Sequence, residues 1–302
     1  MKISIILFIS ILLVSCSKES SEVIEVIGSN QFISGYLDSS NTNLEIDTIV
    51  SSGQFVNGGS SFATITTQQS DSVQINIGVK NYKGYYKIIG KPDISGKIPV
   101  IIDFKANAPD SLTLIFNIEN ESGQSRIQEY DFSKIESETN GIQINLSWDI
   151  NNDLDLHLLT PSGKEISYKN PGFKYKPNSK DTLRKLYKKY NAKIPIREKI
   201  PFIIADSIGI ILDVDSNPGC NIDGINSENI IIDDTQLAEK GIYTIIANLY
   251  KQCNRREKTT NFVVIAKYKD KFLETLEGKN PFIGYKDGRK NDFQKVIEFE
   301  IK

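Results

Sequence analysis

Apolar and polar residues alternate with a period of two through much of the chain, most clearly in one stretch. Ile142, Ile144, Leu146 and Trp148 are separated by Gln143, Asn145 and Ser147, which predicts a half-buried β-strand. A polar corner, Asp149 to Asn152, follows. Leu154, Leu156 and Leu158 then share one face of a second predicted strand, while Asp153, Asp155 and His157 share the other. The run Thr160-Pro161-Ser162-Gly163 predicts a turn into a third strand near 165–168. Two carboxylates on one strand face repel each other, and apolar packing does not explain them. A cation beside them is the first expectation.

The same pattern divides the chain into two β-rich regions. In residues 26–135, short runs at 31–37, 61–67, 72–79, 85–89 and 112–118 are rich in β-branched and aromatic residues. Turn clusters such as Asn57-Gly58-Gly59, Pro92-Asp93 and Ala108-Pro109-Asp110 separate them, which predicts an Ig-like sandwich. In residues 136–302, further strands are predicted near 208–215, 230–232, 241–250, 260–268 and 296–301, with a helical turn at 271–276. An insertion at 174–205 breaks the β pattern. Leu183, Leu186, Tyr187 and Tyr190 fall on one helical stripe, with Ser179 as cap and Pro195 as stop. The expected fold is therefore all-β: two β-sandwich modules, Ig-like or jelly-roll-like, the second carrying a basic helical insertion.

Charge is uneven. The formal net charge is −2, which argues against a nucleic-acid binder. Between 174 and 199, however, ten Lys and Arg face only Asp181 and Glu198. That segment is either a solvated helix covering a sheet edge or an anion-binding surface. In the second case Lys180, Arg184, Lys185, Lys188 and Lys189 would meet a phosphorylated lipid, an acidic glycan or an acidic partner.

The first 16 residues read as a signal peptide. Lys2 precedes an apolar run from Ile3 to Val14, too short to span a bilayer comfortably. The run ends Leu13-Val14-Ser15-Cys16, which resembles the bacterial lipobox and implies cleavage before Cys16 and lipidation of Cys16. The alternatives are an ordinary signal peptide or an uncleaved anchor. Residues 17–25 read as a polar, flexible tether, and Lys18-Glu19 resembles the export signals of Bacteroidetes surface lipoproteins. The expected location is the outer membrane, lipid-anchored, facing outward or toward the periplasm. Two cysteines remain, Cys220 and Cys253. In an exported chain an even pair reads as a disulfide, against the alternative of two free buried thiols.

A second acidic constellation mirrors the first. Asp213 and Asp215 close a predicted strand, and Asn217, Asp223 and Glu228 supply oxygens in the following loop. The loop starts like an EF-hand, but Pro218 stands where that loop needs Gly and Gly224 where it needs Glu. The expectation is that the two Asp-x-Asp strand ends meet and share Ca²⁺ through Asp153, Asp155, Asp213, Asp215, Asn217, Asp223 and Glu228. The alternative is a solvated acidic loop of Asx-turns. Zinc is disfavoured, because the chain has one His.

The run Trp148-Asp149, Asp153-Leu154-Asp155-Leu156-His157-Leu158, Pro161-Ser162-Gly163, Leu212-Asp213 and Gly241-x-Tyr243 resembles the YfaP-like β-sandwich domains of unassigned function. The Asp-Leu-Asp-Leu run is also similar to bacterial pre-peptidase C-terminal domains, which implies a calcium-associated sandwich. The resemblance covers about residues 140–265, departs at the basic insertion, and implies no activity. No nucleophile–base arrangement is legible, and His157 reads as a structural hydrogen-bonder, so an enzyme is not expected. The expected function is a cell-surface lipoprotein whose calcium-stabilised sandwich serves binding or adhesion to a glycan or protein partner. Two alternatives remain: a glycan-capture module of an uptake system, with Tyr85, Tyr86, Tyr175 and Tyr250 as its aromatics, and a metal-dependent hydrolase; for glycoside hydrolysis, a pair such as Asp155 and Asp213 could straddle a sugar.

Overall fold

The computed structural model describes residues 17–38, 44–137, 141–174, 209–233, 235, 238–253, 259–268, 271–277, 282–283 and 287–302. Cys16 and the segment expected as a basic helix, with Lys180, Arg184, Lys185, Lys188 and Lys189, lie outside them.

The chain is all-β, built of largely antiparallel sheets. In the first half, a four-stranded sheet runs in the order Ile24–Val26, Lys97–Phe104, Ser60–Thr66, Thr48–Ser51. A larger sheet holds Tyr85–Gly90, Val73–Val79, Ser111–Asn120 and Gln128–Ile135 side by side. The alternation explains the pairing. Ala63, Ile65, Val100, Ile102 and Phe104 point inward from one sheet and meet Ile75, Ile77, Leu114, Phe116 and Ile118 from the other. Phe55 stacks on Phe104 at 3.9 Å between ring centres.

In the second half, a six-stranded sheet runs in the order Gly172–Lys174, Gly209–Val214, Ser227–Ile232, Ile142–Trp148, Phe262–Tyr268, Lys271–Glu277. A four-stranded sheet opposes it: Glu165–Ile166, Asp153–Leu159, Gly241–Lys251, Asp287–Ile301. Leu154, Leu156 and Leu158 are fully buried against Ile144, Leu146, Trp148 and Ile230. Each such leucine contributes about 1.5–3 kcal/mol relative to an exposed one.

The structure departs from the pattern in four places. Gln143, Asn145 and Ser147 were expected to face solvent, yet the whole strand Ile142–Trp148 is buried. The outer face of the first four-stranded sheet covers them. Ser60 N–H donates to Asn145 Oδ1 at 2.9 Å, Ser147 Oγ donates to the Ser60 carbonyl at 2.7 Å, and Gln143 Nε2 donates to the Asn57 carbonyl at 2.8 Å. The approach is close: a Cβ on Gly59 would lie 2.9 Å from the Asn145 side chain. Phe62, Val263 and Ile265 form a small apolar patch beside these bonds.

The segment expected as a helical turn is a strand, Lys271–Glu277, paired antiparallel with Phe262–Tyr268. Seven residues carry too little periodicity to separate the two forms. The third short strand covers only Glu165–Ile166. Residues 18–22 are no flexible tether, because Ser20 is fully buried: Ser20 N–H donates to the Lys83 carbonyl at 2.7 Å and its hydroxyl to the Gly84 carbonyl at 2.7 Å.

Candidate metal centre

Asp153 and Asp155 occupy alternate positions of the strand Asp153–Leu159, opposite in direction to the leucines that fill the core. The neighbouring Glu165–Ile166 strand pairs only with Leu158 and Leu159, so among the described residues no strand pairs with the first half of Asp153–Leu159 on that side. Glu228 reaches this edge from the opposing sheet. Its Oε2 accepts the Leu156 backbone N–H at 2.5 Å. Glu228 lies within the strand Ser227–Ile232, where a loop was expected. Asp215, one residue beyond the strand Gly209–Val214, faces the same group.

One oxygen of each buried aspartate is held by a neutral donor. Gly219 N–H donates to Asp153 Oδ2 at 2.7 Å, and Asn248 Nδ2 donates to Asp155 Oδ2 at 3.0 Å. Glu228 Oε1 is buried and meets no donor among the described residues. It faces Asp215, and two ionised carboxylates are both acceptors. The pair can bond only through a proton or a cation between them.

The electrostatics follow from burial first and mutual repulsion second. Burial, reinforced by Asp215, pushes Asp153 up to about 6. Burial and the Asp153 charge push Asp155 up to about 7. Burial and Asp155 hold Glu228 well above the usual carboxylate range. Lys251 opposes the rise at Asp153 and Lys169 at Asp155, yet the shifts remain upward.

Other residues of the expected ligand set serve the loop. Asp223 is used up by local donors: Asn217 N–H at 3.0 Å, Ser216 Oγ at 2.9 Å and Ile225 N–H at 2.9 Å. Asn217, with φ of 58°, spends its amide on the Asn152 carbonyl at 3.1 Å and Asn226 Oδ1 at 2.8 Å. Asp213 sits where the strand register shifts between Leu212 and Val214, and it accepts from Asn229 Nδ2 at 3.4 Å. The shift breaks the two-residue rhythm that was expected to put Asp213 and Asp215 on one face. The loop itself is pinned by the Cys220–Cys253 disulfide, and Cys253 N–H donates to Asn152 Oδ1 at 2.8 Å.

The structure thus sets Asp153, Asp155, Asp215 and Glu228 within electrostatic reach of their neighbours in the set. As they stand, no three His, Cys, Asp or Glu side chains among the described residues are gathered around a common ion position. The donor set, all carboxylate oxygen with one orphaned buried Oε1, fits a hard cation such as Ca²⁺ in kind. His157 is engaged elsewhere: its Nδ1 lies 2.6 Å from Glu165 Oε1, and its ring stands edge-on to Phe293 at 5.2 Å. Burial lowers its pKa.

The sequence pattern missed Asn248, Asn152 and the pair Lys267 and Asp103. Asn248 carried one available signal, an amide inside an apolar strand. No protein-family model matches the chain, and no match was found among curated proteins. The likeness to YfaP-like domains rests on the residues quoted above.

Proposed function

We propose that this chain is a lipid-anchored cell-surface protein of two β-sandwich modules, the second stabilised by Ca²⁺ and used for binding or adhesion. One observation carries the calcium reading: Glu228 is buried with an oxygen that meets no donor among the described residues, while the charges of Asp155 and Asp215 act on it and Asp153 acts on Asp155. A cation there would replace three unfavourable protonations. Asp153, Asp155, Asp215 and Glu228 would hold it. The ion would contribute charge neutralisation and would tie the Asp215–Asn226 loop to both sheets.

The test is thermal unfolding of residues 17–302 in EDTA and after return of Ca²⁺ or Mg²⁺. A site saturated a hundredfold over its Kd adds about 2.7 kcal/mol, equivalent to a Tm rise of roughly 5–10 °C for a module of this size. A Tm indifferent to EDTA and to added Ca²⁺ would sink the calcium reading.

A second reading within binding, glycan capture, is favoured by the aromatics beside the site. Tyr168 and Tyr250 pack at 5.8 Å, and Phe293, paired in register with Asn248, is half exposed. Rings with an adjacent amide are what a saccharide face recognises.

A further inference from the structure

We infer that the end of the first half carrying Lys18, Asn81, Tyr82 and Lys83 rests against the lipid headgroup layer. The inference depends on the lipid-anchor reading of Cys16. It follows from how early the chain becomes part of the fold.

The docked segment starts at Lys18. The Lys83 N–H donates to the Lys18 carbonyl at 2.8 Å, and Ser20 N–H returns a bond to the Lys83 carbonyl at 2.7 Å. Ser20 Oγ donates to the Gly84 carbonyl at 2.7 Å and accepts Val79 N–H at 3.0 Å. Lys105 N–H then takes the Val23 carbonyl at 2.9 Å, and Ile24–Val26 joins the four-stranded sheet. Ser20, Val23, Ile24, Val79 and Gly84 are buried, and freeing the segment would orphan their polar groups.

Only Ser17 stands between Cys16 and this anchored stretch. Two residue steps reach at most roughly 7 Å. The polar layer of one leaflet is of similar depth, about 5–8 Å. An acylated Cys16 therefore leaves no room for the fold to stand off. The 79–84 turn must sit at headgroup level.

The surface there suits that position. Lys18 is exposed, with its ammonium 5.8 Å from the Tyr82 ring centre. Tyr36 is largely exposed one residue after Gly35, whose carbonyl accepts Gly84 N–H at 2.6 Å. Lysine and tyrosine are the side chains that tolerate the interface. Charge does not drive the contact, because Glu19 and Glu22 offset Lys18 and Lys83, and Lys80 is paired with Glu129 at 2.7 Å. The contact is imposed by the short connection and is expected on uncharged bilayers.

The experiment uses the full lipidated protein in phosphatidylcholine vesicles containing a headgroup-nitroxide lipid. A fluorophore is placed at Lys80→Cys or, as a control, at Ser122→Cys. Ser122 lies past the far end of the strand Ser111–Asn120, ten residues long, so roughly 30 Å away along the strand. Quenching several-fold stronger at 80 than at 122 is expected. Ten Gly/Ser residues inserted between Ser17 and Lys18 are expected to bring position 80 down to the level of 122. Equal quenching at both positions, with the acyl mass present on Cys16, overturns the headgroup contact and leaves the anchor intact. A Cys16 without acyl mass overturns the anchor reading, and this inference with it.

Discussion

Lys267 and Asp103 form an ion pair across the contact between the two pairs of sheets, and their side chains are 3% and 0% exposed. The Lys267 ammonium also donates to the Gly58 carbonyl at 2.8 Å. Lys105 lies 3.7 Å from the second Asp103 oxygen. Burial still pushes Asp103 up to about 6.

Removing Lys267 takes the direct partner from the fully buried Asp103 and leaves it only Lys105, 3.7 Å from one oxygen. Lys267→Met is expected to cost about 3–5 kcal/mol, and Lys267→Met with Asp103→Leu to recover most of it. Denaturant unfolding of the two variants checks this. A neutral single variant would mean that the contact opens readily to water.

The carboxylate cluster sets a pH dependence. Asp153 and Asp155 titrate near the usual carboxylate value when unfolded and are pushed up to about 6 and about 7 when folded, and burial raises Glu228 well above its usual value too. The folded state therefore holds its protons to higher pH. The linked stability is complete below about pH 4 and is lost as pH rises through 6 and 7. For Asp153 alone the loss is roughly 3 kcal/mol. In EDTA the Tm is expected to fall between pH 5 and pH 8. Added Ca²⁺ should flatten that fall, and a metal-free Tm that rises over the same range would contradict the assignment.

Glu228→Gln separates proton from ion. The amide keeps an oxygen for Leu156 N–H and removes the charge, so the metal-free Tm at pH 7–8 is expected to hold or rise. The Tm gain on adding Ca²⁺ should disappear. Paired melting curves of the two proteins, with and without Ca²⁺, give the answer.

The disulfide closes a loop between residues 33 apart. Cys220→Ser with Cys253→Ser is expected to cost about 2–4 kcal/mol. It should also speed hydrogen exchange at Gly219, whose N–H is bound to Asp153 next to the crosslink. Unchanged exchange at that amide would show that Asn217 and Asp223 hold the loop by themselves.

Much of the fold was legible because a strand buried on one face writes its burial into the period. Leu154, Leu156 and Leu158 alternate with Asp153 and Asp155, and the core follows that register. What stayed hidden involved partners distant in sequence. Gln143, Asn145 and Ser147 look like a solvated face, and only the arrival of Asn57 and Ser60 from far up the chain buries them. Asp213 and Asp215 carry the right spacing, but a register shift redirects Asp213, and such shifts leave no local mark. In the sequence Glu228 reads as a loop oxygen. Its position in a strand, reaching the Leu156 N–H, depends on where the opposing sheet stops.

The polar contact between the halves also has a mechanical meaning. A load that pulls one half away from the other passes first through the covalent link between them. Here Ser60, Asn145, Ser147, Lys267 and Asp103 form a second route for the force in parallel with that link. A pull on the far half is shared among several bonds loaded together, so the two halves should yield as one body rather than peel apart in sequence.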